Sequence, residues 1–173
     1  MDPFDQALRT HDFDRWLSSR FVADADRRAR LVALYSLDGE WRRVAALVTT
    51  PLAGEIRLAW WSEAVERFAA GGAADHPALE ALGRPAATAL QDQLQAAIEA
   101  YRQALETERP AEAADAAIVA AAARLLDPDT PQSDKAFPAI AHRALARAYA
   151  KGRTPGPLEK RLRITWAVLM GRV

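Results

Sequence analysis

The chain has 173 residues, half of them apolar, and its 23 basic and 23 acidic side chains leave no formal net charge. That balance excludes bulk attraction to nucleic acid or to an anionic membrane, although it leaves room for a local basic patch. With no cysteine there is neither a disulfide framework nor a thiolate metal site.

The length suits a single domain, residues 1–173, large enough to bury roughly 70% of its unfolded surface. Alanine, leucine, arginine, glutamate and glutamine dominate, all strong helix formers. The opening MDPFDQALRTHDFDRW is acidic and polar, unlike a signal peptide. No apolar run approaches the roughly 18 residues of a membrane span. The expectation is a soluble cytoplasmic protein with no transmembrane segment.

In chain order, Asp12 or Asp14 caps a short helix running through Trp16 to Phe21. Asp24 caps the next, where Leu31, Leu34, Leu37 or Asp38, Trp41, Val44/Ala45 and Val48 recur at a helical period. Gly39 within it costs about 1 kcal/mol relative to alanine and is expected to mark close packing or a slight kink. Thr49-Thr50-Pro51 ends that helix and opens a third, with Thr50 as cap and Pro51 in the first turn. The third runs to about Ala70 and stops at Gly71-Gly72. A short helix follows Asp75-His76-Pro77, with Asp75 as cap, and ends at Gly83. Pro85 opens a longer one to about Glu108, and Pro110 another through Leu126. The segment Asp127 to Pro138 reads as a linker. Helices around Ala139 to Ala150 and Leu158 to Met170 complete the chain. Nothing alternates at period two, so the expected fold class is all-α, a single helical bundle.

Asp38 and Arg42 are four residues apart with the acid first, the favourable order for an intrahelical pair worth about 0.2–0.5 kcal/mol. Glu40–Arg43 and Glu63–Arg67 are similar, and solvated surface pairs are the simplest account of all three. Trp60 and Trp61 leave the helix about 100° apart, so one is expected in the core and the other at a groove or interface. Arg57 lies one turn before Trp61 and is placed to stack on it. His11, His76 and His142 have no ligand spacing, and an isolated histidine lacks the paired groups that chemistry requires.

Two stretches resemble a known family. Ala33-Leu34-Tyr35-Ser36-Leu37-Asp38-Gly39-Glu40 and Gly54-Glu55-Ile56-Arg57-Leu58-Ala59-Trp60-Trp61 are similar to the first two core helices of squalene/phytoene synthases. They are most similar to the family's non-catalytic branch of complex I assembly factors, with Asp38 where Asn and Ala59 where Gln is usual. The resemblance is strong over 13–82 and weak over 83–173. In the enzymes, Ala-Leu-Tyr is followed about seven positions on by a DDxxD-type cluster that holds Mg²⁺ against a diphosphate. Here those positions read Arg42, Arg43 and Ala46. Guanidinium has no lone pair to offer a cation, and Mg²⁺ needs oxygen ligands. A second Asp-rich cluster has no match downstream; Asp127 and Asp129 flank a proline in a turn.

The resemblance therefore implies a shortened isoprenoid-synthase fold with the reaction lost and no cofactor. The expected activity is binding, with assembly of a respiratory complex as the role carried by analogy and a position peripheral to the inner membrane to match. The alternatives are a prenyl diphosphate transferase with a degenerate or shared site, and a carrier of isoprenoid or lipid. Expected ligand-binding residues are Tyr35, Asp38, Arg42, Glu55, Arg57 and Trp61, with Arg42 turned into the former active-site cavity toward a phosphate or a partner's carboxylate. A protein partner or self-association is expected to cover apolar faces; nucleic acid is not expected to bind.

Overall fold

A computed structural model describes residues 2–48, 50–107 and 111–126. Among them every regular element is a helix: α1 Pro3–His11, α2 Phe13–Ser19, α3 Ala25–Leu47, α4 Pro51–Ala69, α5 Pro77–Leu82, α6 Arg84–Ala89, α7 Gln91–Thr107 and α8 Glu112–Leu126. The expectations for residues 127–173, and for Glu108 and Pro110, lie outside the described residues.

The helix starts are set by side-chain caps. Asp12 accepts the Arg15 N–H at 3.1 Å, Asp24 the Arg27 N–H at 2.9 Å and Thr50 the Ala53 N–H at 3.4 Å, as the sequence predicts. Such caps contribute about 1 kcal/mol each. Helix α1 is not among the expected elements, yet Asp2 caps it through the Phe4 N–H at 2.8 Å, with Pro3 at its start. Asp75 does not cap α5. His76 does, its Nδ1 accepting the Ala78 N–H at 3.1 Å, while Asp75 pairs with Arg67.

The single helix expected after Pro85 is two. Helix α6 ends at Ala89, and Leu90 leaves helical geometry at φ −104° before α7 begins. Leu90 is itself buried, so the break lets one residue fill the core between two short axes. Gly83, at φ +82°, joins α5 to α6 in a conformation that a side chain would strain.

Helix α3 is the centre of the bundle and touches α1, α2, α4, α5, α7 and α8. Its buried surface accordingly extends beyond a single stripe. Leu31, Leu34, Leu37 and Trp41 are fully buried, with Val32, Ala33, Tyr35 and Val44 also inside. Helix α4 lies along α7, and α7 along α8. Gly54 permits the first of these contacts, since a Cβ there would come 2.5 Å from Leu105 Cδ1. Gly39 does no such thing. No atom lies within 4 Å of where its Cβ would be, because it faces a cleft rather than a neighbouring helix.

Candidate functional site

The cleft has a volume of about 540 Å³ and opens beside the middle of α3. Phe4, Ala7 and Leu8 of α1 form one wall, and Ala46, Leu47 and Ala78 supply further apolar surface. Its polar side is built from Asp12, Arg15, Glu40, Arg42 and Arg43, with His11 and His76 at the edges. Arg42, Arg43 and Ala46, the three positions that the resemblance sets against the synthases' acids, all line it.

Beneath this surface lies an ion network drawn from four parts of the chain. Asp38, on α3, is completely buried. Its Oδ2 accepts from Arg15 of α2 and, at 2.8 Å, from Arg42 one turn along α3. Its Oδ1 accepts the phenol O–H of Tyr101 from α7 at 2.8 Å. Asp115 of α8 receives Arg15 at 3.0 Å and Arg42 at 3.1 Å through the same oxygen. Asp12 stands 3.6 Å from Arg15 and 4.0 Å from Arg42. Arg42 Nε also donates to the Tyr101 oxygen at 3.4 Å, and the Arg15 guanidinium lies over the Tyr35 ring.

Burial works against the charge on Arg15, but Asp38 and Asp12 outweigh it and raise its pKa. Arg42 behaves alike: burial lowers and Asp38 raises, with the net shift upward. Burial pushes the Tyr35 and Tyr101 phenols above their ordinary range, so both remain neutral and Tyr101 keeps the proton it donates to Asp38. The network thus joins two guanidinium cations, three aspartate side chains and the Tyr101 phenol.

That corrects the view of Asp38–Arg42 as a solvated pair. A buried carboxylate needs a compensating charge and hydrogen bonds, and Asp38 obtains them from three side chains on three helices. Glu40–Arg43, at 3.2 Å, and Glu63–Arg67, at 4.0 Å, are half-exposed or exposed pairs as expected.

Of the six expected ligand-binding residues, the structure brings Tyr35 and Arg42 to the cleft with Asp38 directly behind them. Glu55, Arg57 and Trp61 lie elsewhere. Glu55 receives Arg102 at 2.9 and 3.1 Å, tying α4 to α7. Trp61 is core, its ring edge-on to Trp41 and His76, while its neighbour Trp60 is exposed. Arg57 is exposed and makes no stacking contact with Trp61; the described guanidinium–ring pairs are formed by Arg9, Arg15, Arg20 and Arg84. Arg15, Tyr101 and Asp115 are not among the residues to which the sequence points. They are 23, 63 and 77 positions from Asp38, and no local spacing links them.

The donor set does not fit the divalent cation that catalytic members of such a family hold. Among the described residues no group of three or more His, Asp or Glu is arranged to hold a metal ion. Of the acids that line the cleft, Asp12 stands beside Arg15 and Arg42 and Glu40 pairs with Arg43, while Asp38 and Asp115 behind it are engaged by Arg15 and Arg42.

A family model described as squalene/phytoene synthase matches residues 8–117, which takes in every member of the ion network and extends well past Leu82. No curated protein and no solved structure matches the chain. Among the described residues no helix is long and apolar enough to cross a membrane. Since the family model covers well over half of the sequence, this chain belongs to the squalene/phytoene synthase family and has an all-α fold of the isoprenoid-synthase type.

Proposed function

We propose that this protein is a non-catalytic member of its family that acts by binding. The observation that carries this is the position of Arg42. It lines the cleft and holds Asp38 and Asp115 by salt bridges of 2.8 and 3.1 Å, at the position that the resemblance sets against the first acid of the metal-binding cluster. Diphosphate ionisation in the synthases needs divalent cations clamped by free carboxylates. Here a guanidinium supplies the positive charge and consumes the acids. The cleft's surroundings carry Asp12, Glu40, Asp38 and Asp115 against Arg15, Arg42 and Arg43, so they offer no excess of positive charge to a diphosphate.

Assistance in assembling a respiratory complex is the role that resemblance suggests, with protein surface as the ligand. Single-turnover incubation with farnesyl or geranylgeranyl diphosphate and Mg²⁺ tests the proposal. No pyrophosphate release is expected; stoichiometric release would reinstate a prenyltransferase. The apolar wall of Phe4, Ala7, Leu8 and Leu47 favours one second role, an isoprenoid or lipid carrier. Native mass spectrometry of protein purified from cells would then show a retained hydrophobic ligand.

A further inference from the structure

Helix α4 is apolar on two faces. Leu58, Trp61, Ala64, Val65 and Phe68 are buried against the bundle. On the opposite side Leu52, Ile56 and Trp60, each four residues from the next, are 70%, 63% and 40% exposed. Solvent-facing leucine, isoleucine and tryptophan at successive turns form a stripe rather than a scatter, and such stripes mark contact surfaces.

We propose that this stripe is a dimer contact in which two copies of the chain lay α4 against α4, antiparallel, about a two-fold axis at Ile56. The pattern matches itself under that operation. Leu52 and Trp60 lie about 6 Å to either side of Ile56 along the axis, so Leu52 of each copy meets Trp60 of the other and Ile56 meets Ile56. The charges agree as well. Glu63, exposed and in only a loose 4.0 Å pair with Arg67, is seven residues beyond Ile56 and falls just ahead of the Thr50 cap of α4 in the second copy. The first turn of α4 holds no acidic residue of its own, and a helix N-terminus favours negative charge beside it. A chain with no formal net charge adds no long-range repulsion between copies. An anionic membrane fits less well, because exposed Glu63 and Glu66 offset Arg57 and Arg67 along the same helix.

Self-pairing names one partner for the binding role and rests on that role only in part. It uses no residue of the cleft, so its failure would leave the Arg42 observation intact, and pyrophosphate release would leave the dimer intact. A stripe of three large side chains is narrow, below the roughly 1,200 Å² of a standard interface. The dimer is therefore weak and concentration-dependent.

Sedimentation equilibrium of the full chain, from low to high micromolar, should show the mass rising from one chain toward two. Ile56 is the variant of choice because it is exposed in one copy, so charge there leaves the fold intact; a thermal transition checks this. Ile56→Glu and Ile56→Lys should each weaken association at least about tenfold, since like charges then meet at the axis. Mixed in equal amounts, the two variants should pair again, because glutamate now faces lysine. Mass that stays at one chain throughout overturns the proposal. So does a dimer indifferent to Ile56→Glu, or variants that fail to pair on mixing. A monomer whose Ile56→Glu form melts lower would give the stripe to the chain's own remaining residues, and a monomer captured by anionic vesicles would give it to lipid.

Discussion

Asp38 on α3 and Tyr101 on α7 are joined by a 2.8 Å hydrogen bond in which the phenol donates to a completely buried carboxylate. A hydrogen bond to a charged group contributes about 1.5–3 kcal/mol, so Tyr101→Phe should lower unfolding free energy by about 2 kcal/mol. Asp38→Asn removes the charge that compensates Arg15, and breaking a buried pair from one side costs about 3–5 kcal/mol. Urea denaturation of the two variants measures both. A loss below about 1 kcal/mol for Asp38→Asn would mean that the network is not a structural centre. The phenols give a further check. Burial holds Tyr35 and Tyr101 above their usual 10.0 in the folded chain, so the unfolded state ionises first. Their contribution is complete below pH 10 and is lost as pH rises toward the folded values.

His76 predicts a pH dependence in the acid direction. Burial lowers its pKa below the ordinary 6.5, against a smaller opposing effect from Glu40. Its Nδ1 must also keep a lone pair to accept the Ala78 N–H. As pH falls past 6.5 the unfolded chain takes up the proton first, so stability declines until the folded value is passed and then levels. His76→Asn retains a cap, asparagine being among the best at that position, and removes the titration. Melting temperatures of the two proteins should therefore diverge as pH drops from 7 toward 5, the wild type losing more. Parallel curves would show that the cap tolerates protonation.

Much of this architecture can be read from punctuation. Asp12, Asp24 and Thr50-Pro51 start helices where local chemistry says they must. The Asp2-Pro3 start uses the same grammar as Thr50-Pro51, yet a polar N-terminal stretch does not announce the burial of Leu8 that makes α1 worth forming. Positions 42, 43 and 46 are legible as cleft residues only through the family resemblance. The network itself is not legible. Asp38 and Arg42 look like any surface pair until α2, α7 and α8 bring Arg15, Tyr101 and Asp115 from distances that helical periodicity does not span. Glu55 and Trp61 lie away from the cleft for the complementary reason. Their motif fixes a helix but not which of its faces meets the core.

Gly39 supplies a prediction of opposite sign. It sits mid-helix in α3 at the edge of the cleft with nothing within 4 Å of a would-be Cβ. Alanine there avoids the entropic cost of a helical glycine without a clash. Gly39→Ala should raise unfolding free energy by about 0.5–1 kcal/mol, seen as a higher denaturant midpoint at unchanged slope. A destabilised variant would indicate that a further group occupies that space.

Arg42 tests the electrostatic exchange directly. In Arg42→Gln, Asp38 keeps Arg15 and Tyr101, and the lost guanidinium was half exposed. The cost should be about 1 kcal/mol, because solvent screens the half-exposed guanidinium while Arg15 and Tyr101 go on satisfying the buried carboxylate. In Arg42→Asp a new acid stands one turn from Asp38 and close to Asp12 and Asp115, restoring the type of residue that the synthases carry there. Four carboxylates then share Arg15, and like charges at short range raise one another's pKa. The unfolded state releases that proton first, so Arg42→Asp should be several-fold more costly than Arg42→Gln at neutral pH, with the gap narrowing toward pH 4. Equal costs across the whole pH range would mean that Arg42 serves this bundle through packing rather than as the cation its carboxylates require.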